Sequence, residues 1–76
     1  MDEHGEVVIT LEEYRKKRNI SKNKIVVNAH VQRTQLQNYL YNKVSRVDLD
    51  VLARICSYLD CDISDILKYE KPKTNK

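Results

Sequence analysis

The 76-residue chain has no tryptophan or phenylalanine, one glycine (Gly5), one proline (Pro72) and two cysteines (Cys56 and Cys61). With one glycine there is no phosphate-cradling loop of the glycine-rich kind, so nucleotide-binding classes built on such loops are excluded. Cysteines five apart match no common zinc spacing and are expected to be reduced thiols at or near the core. No apolar run exceeds three residues, which leaves no membrane span and nothing resembling a signal peptide, so the expected location is cytoplasmic. His4 and His30 have no nucleophile or paired carboxylate near them in sequence, and no enzyme is expected. No cofactor, metal or small-molecule ligand is expected either. Asp60, Asp62 and Asp65 lack the glycine and the following glutamate of a calcium loop and read instead as turn and cap residues.

The most informative absence is local. Between Tyr14 and Arg46 there are nine Lys and Arg residues and not one Asp or Glu, although the chain holds eleven acids and a net charge of only +3. A modest total therefore conceals a polarised molecule, and such asymmetry favours a polyanionic partner on one face.

Apolar periodicity divides the rest into short helices. Residues 1–9 read as a mobile start followed by an extended arm. Thr10 followed by Glu13 has the form of a capping box, with a first helix over about Leu11–Arg18. Asn19 suits a left-handed helix end, and Ser21 suits the cap of a second helix over about Lys22–Ala29. His30 falls where a tight turn needs positive φ. Gln32 opens a third helix, with Gln35 placed to bond back to the cap, Leu36 and Tyr39 inward and Leu40 partly buried. Asn42 is the expected left-handed residue of the next loop. Asp48 caps a fourth helix, Leu49–Leu59, whose apolar positions begin at Leu49, and Asp62 with Asp65 caps a fifth, Ile63 to about Lys68. The expected fold is all-α: an N-terminal arm over 1–9, a compact five-helix domain over 10–69 and a flexible tail over 70–76.

Helices two and three, joined by a three- to four-residue turn, fit a helix-turn-helix, a unit whose second helix enters the DNA major groove. The outward face of that helix carries Gln32, Arg33, Thr34, Gln37, Asn38 and Tyr41. Amides offer donor and acceptor together to adenine, Arg forks onto guanine, and Thr meets a thymine methyl. A helix built only for solubility would more often use Glu and Lys, which also favour helix.

The stretch "ISKNKIVVNAHVQRTQLQNYLYNKVSRVDLDVLARICSYLDCDISDIL" resembles the Cro/lambda-repressor (XRE) class of helix-turn-helix domains, over roughly Leu11 to Leu67. Ile20-Ser21 stands where the family has Leu-Ser, Lys24-Ile25-Val26 where it has "eLA", His30-Val31-Gln32 at its "Gvs" turn and Tyr41-Asn42-Lys43 at its "NGK" loop. Both family glycines are replaced, by His30 and Asn42, residues that tolerate positive φ. Val26 in place of Ala implies slightly wider spacing of helices two and three.

The resemblance implies a small bacterial or phage regulator binding double-stranded DNA, commonly a repressor acting as a homodimer on a palindrome. Carried over by position, Gln32, Arg33, Thr34, Gln37 and Asn38 are the base-reading candidates. Ser21, Lys22, Asn42, Lys43, Arg46, Arg15 and Arg18 fall at backbone-contacting places, Arg15 and Arg18 with bracing as the alternative. The dimer surface is expected from Tyr58, Ile66, Leu67 and Tyr69, or from the arm at Val7–Ile9. The rival expectation is a protein-interaction module of the same fold, such as an antitoxin or an antagonist of another regulator.

Overall fold

The structure is a computed structural model that describes residues 4–72. The elements run β1 (Glu6–Ile9), α1 (Leu11–Lys17), α2 (Lys22–Asn28), α3 (Arg33–Leu40), α4 (Leu49–Leu59), a 3-10 turn (Ile63–Asp65) and β2 (Leu67–Glu70). The start of the expected mobile segment (1–3) and the end of the expected tail (73–76) lie outside the described residues.

Ile25, Leu36 and Ile55, from α2, α3 and α4, are fully or almost fully buried with Leu11 of α1, Tyr39 and Ile66. Truncating any one of these aliphatic side chains to Ala would cost about 2–5 kcal/mol. The Tyr39 hydroxyl is satisfied from within the core by the Asp48 N–H, 2.9 Å away. On α4 the buried stripe is Val51, Leu52, Ile55 and Leu59. Leu49, expected inward, is instead 77% exposed, because the first helical position falls off that stripe.

Four α-helices are present among the described residues rather than five. The expected fifth helix shrinks to the 3-10 turn, capped as expected by a reciprocal Asp62–Asp65 box, and the chain then straightens into β2. A helix of six residues is too short to sustain itself. Pairing with the arm offers the same backbone groups a ladder instead. β1 and β2 run antiparallel, with Glu6 opposite Glu70, Val7 opposite Tyr69, Val8 opposite Lys68 and Ile9 opposite Leu67. Gly5 extends this ribbon, and a side chain there would collide with the Glu70 carbonyl, which explains the glycine.

The ribbon also overrides the Thr10–Glu13 capping box. The Thr10 N–H donates to the Ile66 carbonyl at 2.8 Å, so it is unavailable to Glu13. The Thr10 hydroxyl turns to the Asp65 carbonyl, 3.3 Å away, and makes no cap bond. Ile66 is fully buried within its own chain, which removes it from the expected dimer surface. Tyr58 and Leu67 are half-buried, and Tyr69 is exposed.

Four non-glycine residues have left-handed backbone: Asn19 (φ 59°), His30 (57°), Asn42 (57°) and Asp60 (54°). Each ends or follows a helix. The first three are the residues the sequence marks for this role, and Asp60 is an addition at the end of α4.

Candidate nucleic-acid interface

Ser21 opens α2 by accepting the Lys24 N–H with Oγ at 3.1 Å. The helix ends at Ala29, His30 reverses the chain, and the Val31 N–H returns to the Val26 carbonyl at 3.2 Å. Val31 and Ala29 drop into the core, while half-buried Val26 packs against it. Gln32 is the extended residue before α3; neither it nor Gln35 makes the expected cap bond.

With Leu36, Tyr39 and Leu40 buried, the opposite face of α3 faces solvent. Gln32, Arg33, Thr34 and Gln37 are exposed and Asn38 is half-buried. Among the described residues none of the five is paired with a carboxylate. Arg33 Nη2 donates to Asn23 Oδ1 at 3.0 Å, across from the start of α2. Lys22 donates from Nζ to the Tyr41 hydroxyl at 2.7 Å, with the ammonium 5.1 Å from the ring centroid. Tyr41 follows Thr34 and Gln37 along the same face, at helical spacing. Asn23 and Tyr41 are absent from the sequence-derived site. The outward position of Tyr41 was legible; the Asn23–Arg33 contact required the two helices to be placed.

The flanking residues divide. Lys43 and Arg46, after α3, are exposed and make no ion pair among the described residues. Arg18 is exposed, its guanidinium over the Tyr14 ring at 4.7 Å. Arg15 takes its bracing alternative, and the Asn42 side chain is a correction. Arg15 is clamped by Glu12 (Nε to Oε1 2.8 Å, Nη2 to Oε2 3.1 Å) and by the Ile20 carbonyl (3.2 Å), with 14% of its side chain exposed. It braces the end of α1. Burial works to raise the Glu12 pKa, but the Arg15 bonds and charge, with Lys16 at 3.5 Å, hold it below its ordinary value. The Asn42 carboxamide is spent on β1: the Ile9 N–H donates to Oδ1 at 2.7 Å, and Nδ2 donates to the Ile9 carbonyl at 3.0 Å.

Arg54, the one base of α4, is a support of the turn that the sequence did not mark. Its Nε donates to the Ala29 carbonyl (3.1 Å) and Nη2 to the His30 carbonyl (3.2 Å), while Nη1 pairs with Asp50. It thereby satisfies carbonyls at the end of α2 and pins the turn. The only advance sign was Asp50 four residues earlier on the same helix.

The arrangement is two short helices locked at a turn, presenting an amide- and guanidinium-rich surface with cations on its rim. The family model for the Cro/C1-type helix-turn-helix DNA-binding domain matches residues 10–72. The chain belongs to this family. The Cro/C1-type domain here is similar to a solved structure, the transcriptional regulator VanUg in its crystal form II, at 26% identity, with a TM-score of 0.72 and 93% of each chain covered. No curated protein sequence matches the chain. As a Cro/C1-type domain it has double-stranded DNA as its partner class. Among the described residues no helix is long and apolar enough to cross a membrane, and no group of three potential ligands could hold a metal.

Proposed function

We propose that the protein is a sequence-specific regulator of transcription, acting as a repressor by occupying a palindromic operator as a homodimer. The observation that carries this reading is the exposed, acid-free face of α3. Gln32, Arg33, Thr34, Gln37 and Asn38 read base edges, with Arg33 aimed by Asn23. Ser21, Lys22, Lys43, Arg46 and Arg18 hold phosphates on either side. The printed description of VanUg as a transcriptional regulator supports the regulatory role.

A single α3 offers too few contacts to hold one site alone, which is the physical case for two copies. About four cations per protomer on phosphates give a salt slope of roughly −4, or about −8 for the dimer. Selection of bound sites from random duplexes, followed by salt titration on the winner, tests the reading. The expected result is a two-fold symmetric sequence with half-sites about 10 base pairs apart or a multiple of that. Affinity indifferent to salt would exclude DNA binding and leave the protein-interaction module. A bound site upstream of a reporter distinguishes repression from activation.

A further inference from the structure

The ribbon has two outer edges, and they are not equivalent. In an antiparallel ladder, opposed residues alternate between bonding each other and pointing their peptide groups away. The Thr10 bond to Ile66 fixes the phase: Val8 with Lys68 and Glu6 with Glu70 are the bonded pairs. Ile9, Val7, Leu67 and Tyr69 therefore turn their N–H and C=O groups outward. On the β1 side Asn42 closes both groups of Ile9 and stops a strand from continuing along that edge. On the β2 side the outward groups of Leu67 and Tyr69 have no partner among the described residues. An open edge of this kind is a template for another strand.

Charge identifies that strand. In its own sheet Glu70 lies opposite Glu6, an unfavourable like-charge pair. If a second β2 adds antiparallel with Tyr69 opposite Tyr69, Lys68 of each copy falls opposite Glu70 of the other, in the close, non-bonded type of pair. The register shifted by one residue, centred on Lys68, would set two ammonium groups against each other. Tyr69 (56% exposed) and Val7 (65% exposed) share a face and would form an apolar strip across the dyad. Leu67, on that face, joins the strip to a groove lined by Leu49, Ala53 and Ile63.

We propose that the β2 edge is the dimer surface: two copies of the chain pair β2 to β2 about Tyr69, making a four-stranded sheet held by reciprocal Lys68–Glu70 pairs. This deepens the dimeric reading above and rests on it for its role on DNA.

Glu70→Lys is the informative variant. Within one chain it replaces the Glu6–Glu70 repulsion by attraction, so thermal stability should hold or rise. Between chains it sets Lys68 against a lysine, twice. Sedimentation equilibrium of the full chain should show a wild-type dimer, a dissociation constant about tenfold or more weaker for Glu70→Lys, and recovery in the double variant Lys68→Glu, Glu70→Lys. A monomeric wild type, an unchanged Glu70→Lys dimer, or a double variant without recovery would each overturn the proposal. Tyr69→Pro removes an N–H used only across the dyad and should abolish association; retained association would also overturn it. Binding to the selected palindrome and to its half-site separates the two readings. Association that follows this pattern without DNA binding supports the edge and sinks the regulator. Palindrome binding unaffected by Glu70→Lys does the reverse.

Discussion

The carboxamide of Asn42 lies against the backbone of Ile9 as a strand would, accepting its N–H and donating to its carbonyl. The residue that begins the loop after α3 is thus the one that fastens the ribbon. Asn42→Gly keeps the positive φ and loses only the amide, and should cost about 1–2 kcal/mol. Asn42→Ala adds left-handed strain and should cost about 2–4 kcal/mol. Urea midpoints should rank wild type, Gly, Ala; equal losses would place the whole effect in the lost carboxamide.

Arg33 and Lys43 should fail on DNA in different ways. Arg33→Ala should cost about 1–3 kcal/mol on the selected site and relax preference at one or two positions, as loss of the proposed forked base contact requires. Lys43→Ala should weaken every sequence alike and reduce the salt slope by about 1 per protomer. Competition binding against single-position operator variants reads both. Asn23→Ala should reproduce a weaker form of the Arg33 effect, since it frees the guanidinium without deleting it.

Arg54 should matter to the turn more than to DNA. Arg54→Met keeps the stem but strips the donors from the Ala29 and His30 carbonyls, costing about 1–2 kcal/mol. Arg54→Lys restores charge without the fork and should recover little. Hydrogen exchange at the Val31 amide, whose partner is the Val26 carbonyl, should quicken in both.

Burial, and then the neighbouring Cys56 thiol, push the Cys61 thiol from an ordinary 9.0 up to about 11. A raised thiol favours its protonated form in the fold. The resulting stability is complete below pH 9 and is lost as pH climbs through about 11. In Cys56→Ser, which retains the burial, iodoacetamide should modify native Cys61 far more slowly at pH 9 than the urea-unfolded chain. At the acid end the sign reverses. Hydrogen bonds from Ser64 hold Asp62 below its ordinary value, as Arg15 does Glu12, so both stabilise above the unfolded carboxylate range and lose that contribution as pH falls through their lowered values.

Local chemistry made much of this architecture legible. Ser21, Asp48 and Asp62 cap what they precede, and Asn19, His30 and Asn42 take the backbone their side chains tolerate. The face of α3 was readable because periodicity alone decides which residues point away from Leu36 and Tyr39. What escaped depends on partners distant in sequence. Ile63–Lys68 reads as helix from its cap, and only the arm turns its end into β2. Thr10 and Glu13 have the form of a box that a strand hydrogen bond cancels. The roles of Arg15, Arg54 and Asn42 are set by carbonyls, carboxylates and amides that other segments bring to them.

Gly5 and Tyr69, bonded through the tyrosine hydroxyl at 3.1 Å, are 64 residues apart. Closing so long a loop carries a large entropic cost before any contact rewards it, so the helices should assemble first and the ribbon last. Asn42→Gly should then leave the refolding rate nearly untouched and steepen escape from the native state, a signature confined to the unfolding arm of the chevron.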